Sequence, residues 1–261
     1  MTSQSLRSNY GIITFWGPRG EGTDQLAGRL VRALGLLGNI HPVLSDWYFL
    51  RQKSGERLQD IEVEEIPIGG LDRGRVAGLI AEQIHRTDGD AVPQNGYFFV
   101  VANKPERGPR MVSLMFRCAA TFFADFPSNS VRLSTDDSAL QDADIFSPET
   151  FRRAVLAIAA AWEPSWCEVG SNETRDLSPS IQETGTPKVR LAWMTYLTPR
   201  FARLVTPPKS AIVDRTPEGG LLMIATADRF NVANPQHMKV AREIEAALAP
   251  VNALPWSERG A

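Results

Sequence analysis

Three apolar segments in the middle of the chain constrain the fold most, because they lie so close together in sequence. They are YFFVVAN (97–103), MVSLMFRC (111–118) and SVRLST (130–135), and polar or Gly- and Pro-containing links separate them. Parallel strands need a long crossover, usually a helix, whereas antiparallel neighbours are joined by short connections. We therefore predict an antiparallel meander in this part of the chain.

Helical and extended patterns continue on both sides of the meander. Four segments have apolar residues at helical spacing, namely 23–38, 71–86, 147–164 and 237–251. Six further segments have the pattern of strands, namely 10–16, 61–68, 166–171, 189–197, 211–216 and 219–226. The second of these, IEVEEIPI, alternates apolar and acidic residues, which is typical of an edge strand.

These elements predict an α+β fold in a single domain that covers residues 1–261. With 43% hydrophobic residues, a chain of this length can bury a core of useful size. We expect two mostly antiparallel half-sheets with helices packed on them, the first from about 8–136 and the second from about 146–252. Each half has a helix that leads to a Trp-containing segment, at Trp47 and Trp166, so a diverged duplication is left open.

The segment FWGPRGEGT (15–23) lies between a predicted strand and a predicted helix, which is the layout of a phosphate-binding loop. It lacks the Lys that a Walker loop places before its Ser or Thr, and the carboxylate of Glu21 would repel a phosphate. Pro18 also removes one backbone N–H donor. We predict that the loop turns the chain, that Thr23 caps the helix, and that Trp16 and Arg19 lie at the surface or at a sheet edge, where they can contact a partner.

Residues for catalysis or metal binding are not evident in the sequence. The three histidines have no metal-ligand spacing and no G-x-S-x-G elbow occurs. The two cysteines are not in a CxxC spacing, which predicts buried free thiols. We therefore predict no catalytic residue, no metal and no cofactor. An enzyme or binding protein for a phosphorylated or nucleotide ligand, using the 17–23 turn, remains the alternative.

Acidic residues concentrate in two segments, although the net charge is only −2. This small net charge argues against nucleic acid or a membrane as the main partner. The predicted partner-binding carboxylates are Glu62, Glu64, Glu65, Asp136, Asp137, Asp142 and Asp144. They would form an acidic surface for a basic protein, and the other interpretation is an ordinary solvated face.

Several motifs in fixed order resemble the immunity protein 52 family. They are YGIITFWGPR near the start, DWY at 46–48, WEPSWCEV at 162–169, LAWMTYL at 191–197 and the segment from EGGLLMIAT to His237. The resemblance implies a cytosolic, non-enzymatic antitoxin that binds a cognate bacterial toxin. It further implies that the toxin is a nuclease with a restriction-endonuclease-like fold, such as a type VI secretion effector.

Apolar segments of the kind that direct secretion or span a membrane are not evident in the sequence. The N-terminus has no long apolar segment of the secretory type, and no run of 18 apolar residues is present, so we expect a cytosolic protein. A scaffold or chaperone for a secreted effector would have the same features, and it would bind the toxin without inhibiting it.

Overall fold

The computed structural model describes residues 10–52, 63–103, 112–122, 129–135, 145, 147–177 and 188–259. The helices are α1 (Thr23–Gly38), α2 (Arg73–Ala81), α3 (Pro148–Trp162), α4 (Asn172–Asp176), α5 (Pro199–Ala202), α6 (Pro235–Ala247), α7 (Ala249–Asn252) and α8 (Trp256–Arg259). The strands are β1 (Tyr10–Trp16), β2 (Trp47–Gln52), β3 (Val63–Pro67), β4 (Arg86–Thr87), β5 (Asp90–Ala91), β6 (Tyr97–Asn103), β7 (Val112–Cys118), β8 (Asn129–Thr135), β9 (Trp166–Ser171), β10 (Met194–Leu197), β11 (Ile212–Arg215) and β12 (Leu221–Ile224).

Ten strands form one antiparallel sheet in the order β11-β12-β10-β9-β1-β8-β7-β6-β2-β3. Strands β6, β7 and β8 are consecutive neighbours, so the predicted meander is confirmed. The α+β class is confirmed as well. The half-sheets that we expected are joined, because β1 pairs with β8 on one side and with β9 on the other. The duplication remains a prediction.

Helix α3 begins and ends where its sequence signals predict. Oγ of Ser147 accepts the N–H of Thr150 at 3.1 Å, and Pro148 occupies the first helical position. Glu163 takes a left-handed conformation with φ of 50° directly after the last turn. The following Pro164 cannot continue the helix, which explains the sharp stop.

Helices α1 and α2 differ from the predictions at their ends. Thr23 is the first helical residue of α1, so it does not cap the helix. Gly22 holds the cap position instead, and its N–H is donated to the side chain of Gln25 at 3.0 Å. Helix α2 ends at Ala81 rather than near residue 86, because Ile84 forms a β-bridge with Tyr97 of β6.

One face of the sheet, the helix-covered face, packs against α1 and α3. The indole of Trp16 stacks on that of Trp162 with 5.9 Å between ring centroids, and Phe116 lies 5.1 Å from Trp162. On the opposite face, Trp256 of α8 contacts Trp166 of β9 at 5.9 Å. The buried residues of both halves form one hydrophobic cluster.

Both cysteines, Cys118 and Cys167, are buried free thiols, as the sequence predicts. Burial raises the pKa of each thiol well above its ordinary value, so neither is poised as a thiolate. Among the described residues, no helix is both long and apolar enough to cross a membrane.

Candidate partner-binding face

The glycine turn is held by a carboxylate that lies between two arginines. Glu21, with 6% of its side chain exposed, accepts Nε of Arg19 at 2.9 Å and Nε of Arg29 at 2.6 Å. Because Arg29 belongs to α1, this bridge fixes the turn against the helix that it introduces. Glu21, whose charge made phosphate binding improbable in the sequence analysis above, therefore has a structural role.

The same two arginines bind the carboxyl end of α3. Nη2 of Arg19 donates to the carbonyl of Trp162 at 2.8 Å, and Nη1 of Arg29 donates to the carbonyl of Ala161 at 2.8 Å. The last carbonyls of a helix lack intrahelical partners and carry partial negative charge, so guanidinium groups are well placed there. Burial lowers the pKa of Arg19, and Glu21 opposes this effect. The turn thus joins α1 to α3.

Several donors of the turn are engaged within the protein. The N–H of Arg19 is donated to the carbonyl of Ala120 at 3.0 Å, and that of Gly22 goes to Gln25. Pro18 has no N–H, and both nearby guanidinium groups are engaged. This arrangement agrees with the prediction that the loop turns the chain.

Trp16 does not lie at the surface or at a sheet edge, so the expectation for this residue is wrong. It is 3% exposed, and β1 lies in the interior of the ten-stranded sheet. The predicted position failed because the strand that precedes the turn pairs on both sides, and no local sequence signal reports that pairing. Arg19 is partly exposed, with its guanidinium 4.9 Å from the Trp16 ring centroid. The buried side chain of Trp16 offers little surface to a partner.

Glu64 and Glu65 of the acidic segment lie on β3, at the predicted edge of the sheet. Glu64 is paired across the strands with Arg51, and their side chains are 3.4 Å apart. Glu65 lies opposite Leu50 and so points to the other face. The remaining predicted carboxylates, Glu62, Asp136, Asp137, Asp142 and Asp144, lie outside the described residues.

In the described part of the chain, the sheet face opposite α1 and α3 leaves side chains of β3, β2, β6, β7 and β8 exposed or half-buried. Buried and outward residues alternate along β7 and β8, as expected for strands covered on one side only. The cross-strand register aligns Leu50, Val100, Met115 and Arg132 in one row. The outward side chains, which we call the open sheet face, are those of Leu50, Val63, Glu65, Phe98, Val100, Met115, Arg117 and Arg132.

Large apolar side chains are exposed on the open sheet face. Met115 is 42% exposed, Val63 39% and Phe98 38%. Arg117 and Arg132 lie beside them, and Glu65 lies at the edge. Clustered apolar residues with a polar surround are typical of a protein-binding surface. This face was not predicted, although the period-2 pattern of MVSLMFRC places Met115 on the opposite side of the strand from Leu114 and Phe116.

Groups for catalysis are not evident in the described part of the chain. No cluster of three or more His, Cys, Asp or Glu residues in the described ranges could hold a metal ion. His237 is nearly buried, and its Nδ1 accepts the N–H of Asn231 at 3.2 Å, which fixes the start of α6.

Comparisons with known proteins give a family and a fold. A family model described as Immunity protein 52 matches residues 8–254. No curated protein matches the sequence significantly. Among solved structures, the fold is similar to that of the Pseudomonas aeruginosa T6SS protein PA0821, with a TM-score of 0.57 at 10% identity. That likeness covers 94% of this chain and 73% of the other, and at this identity it concerns the fold alone.

Proposed function

This chain belongs to the immunity protein 52 family, and on that premise we propose that it is an antitoxin that binds and neutralises a cognate secreted toxin of the nuclease type. It acts in the cytosol of the cell that makes it, and it forms or breaks no covalent bond itself. The fold likeness to a type VI secretion protein supports delivery of the toxin by such a system.

The observation that carries this proposal is the open sheet face. Phe98, Met115 and Val63 are exposed on one surface, and contiguous exposed apolar patches often mark protein-binding sites. Five strands about 4.8 Å apart, each about 20 Å long, present roughly 400 Å². A stable interface buries roughly 800 Å² per partner. The open sheet face would therefore form the centre of the interface, and neighbouring segments would form its rim.

The acidic residues belong to that rim in this proposal. Glu65 points from the edge strand towards the open sheet face, and Glu62 and Glu64 are its sequence neighbours. The second set is Asp136, Asp137, Asp142 and Asp144, which follow directly after β8 of the same face. A nuclease needs a basic groove for phosphates, so carboxylates at the rim would speed encounter and select the partner. Arg19, which is partly exposed, is a further candidate contact.

Co-expression tests the proposed function directly. The toxin domain encoded next to this gene is produced in a host cell with and without this chain, and growth and the integrity of nucleic acids are followed. We expect growth arrest and degraded nucleic acid without the chain and normal growth with it. Binding that leaves the toxin fully active would instead support the chaperone interpretation.

A further inference from the structure

A cavity of about 200 Å³ lies beside the open sheet face, lined by residues of β8, β1, β9 and α4. Its floor includes Gly11 of β1 and Gly170 of β9, which are directly paired across the two strands. A Cβ atom on Gly170 would come within 2.6 Å of Oγ1 of Thr174, so glycine at this position lets α4 pack closely against β9. Arg132 and Arg190 line the walls.

Among the described residues that line the cavity, positive charge exceeds negative charge. They include three arginines, Arg132, Arg175 and Arg190, and one carboxylate, that of Glu168. The three arginines come from β8, from α4 and from the segment before β10, so the fold brings them together from distant parts of the sequence.

The carboxylate of Glu168 is already used. It accepts the N–H of Arg190 at 3.0 Å, the indole of Trp166 at 3.2 Å, and Nη2 of Arg190 at 3.3 Å. Glu168 therefore balances the charge of Arg190, and among the described lining residues no second carboxylate faces the other two cations.

Arg132 and Arg175 make no hydrogen bond or ion pair to any residue within the described ranges. The pKa of Arg175 is lowered by burial first, and then by the charges of Arg132 and Arg190, which Asp176 opposes only in part. Two cations that repel each other beside an empty volume would be stabilised by an anion between them.

We propose that this cavity binds a free small oxyanion, such as a phosphate or a small carboxylate. The two unpaired guanidinium groups present planar, doubly donating edges that suit the oxygens of such an anion. Ser134 and Asn172 lie in the lining and supply further polar groups. The volume is below the roughly 300–1,000 Å³ of drug-sized ligand sites, which favours a small anion over a nucleotide.

The test uses the full chain alone, so its outcome is independent of the proposed antitoxin function. Inorganic phosphate and succinate are titrated into the protein by calorimetry up to tens of millimolar, with ionic strength held constant by chloride. We expect saturable binding that is about tenfold or more weaker in the R132Q/R175Q variant. The variant R117Q, which removes a cation of the open sheet face outside the cavity lining, should bind as the wild type does.

Melting temperatures separate loss of binding from loss of folding. Because Arg132 and Arg175 hold no described partner, R132Q/R175Q should melt within a few degrees of the wild type, and only the wild type and R117Q should gain stability on adding phosphate. No saturable binding to the wild type would overturn the proposal. Equal binding by R132Q/R175Q would overturn it as well.

Discussion

The carboxylate of Glu21 lies 2.6 Å from Nε of Arg29, and this pair closes the turn before α1 onto the helix itself. Arg19 binds the other oxygen of the same carboxylate at 2.9 Å. Both arginines then reach the final carbonyls of α3. Through this network, a turn that resembles a phosphate loop in sequence becomes the joint between the two main helices.

Replacement of Glu21 by Gln should destabilise the protein without unfolding it. The substitution leaves two partly buried guanidinium groups without their shared carboxylate, which should lower the free energy of unfolding by about 1–3 kcal/mol. The matched control is E163Q, because Glu163 also pairs with Arg29 but is exposed, and its loss should cost about 0–1 kcal/mol. Urea unfolding of the two variants measures the difference, and equal values would contradict the role of Glu21.

Trp16 should matter for stability and not for binding. The variant W16F removes part of the stacking on Trp162 and leaves space in the core, so the free energy of unfolding should fall by about 1–3 kcal/mol. Because Trp16 is buried, toxin affinity measured well below the melting temperature should stay unchanged. A variant with wild-type stability and weakened toxin binding would show that Trp16 contacts the partner after all.

Glu168 should make stability depend on pH. Burial raises the pKa of its carboxyl above the ordinary value of 4.5, although contacts with Arg190 and Trp166 oppose the shift. The folded state therefore favours the protonated form of Glu168. The resulting contribution to the free energy of unfolding is fully present below the pKa of the unfolded state, and it is lost as the pH rises through the pKa of the folded state. The free energy of unfolding of the wild type, minus that of E168Q, should fall as the pH rises from below 4.5 through the folded pKa, and urea unfolding at several pH values measures it. A difference that grows with pH would mean that the folded pKa is lowered.

The acidic segments should control how fast the toxin binds. Charge reversal of Glu62, Glu64 and Glu65 to Lys should lower the association rate and weaken its dependence on salt. Reversal of Asp136, Asp137, Asp142 and Asp144 should act in the same way. Stopped-flow mixing with the toxin domain at two ionic strengths measures both effects. If both sets leave the association rate unchanged, the acidic residues form an ordinary solvated surface.

Signals carried by adjacent residues correctly predicted some of the helices and strands. Ser147 and Pro148 marked the start of α3, and the alternation in residues 61–68 identified the edge strand β3. The pairing of β1 with β9 joins residues that are more than 150 positions apart, and no local pattern encodes it. For that reason the single sheet could not be predicted.

The candidate sites depend on the same distant pairings. Met115 and Phe98 form one surface only because β6 and β7 pair in a register that aligns their outward residues. The cavity needs β8, β9 and α4 to meet, which brings Arg132, Gly170 and Arg175 to one place. The sequence drew attention to carboxylates because they cluster in the chain, whereas the arginines are scattered along it.

The dissociation constant of the complex with the toxin domain tests the central claim most directly. The double variant F98D/M115D places two charges on the open sheet face, and the control L204D places one on an apolar residue that is 44% exposed elsewhere. If the toxin covers the open sheet face, F98D/M115D should bind at least about 30-fold more weakly and fail to protect cells, while L204D behaves as wild type. Wild-type affinity and full protection by a folded F98D/M115D protein would contradict the account.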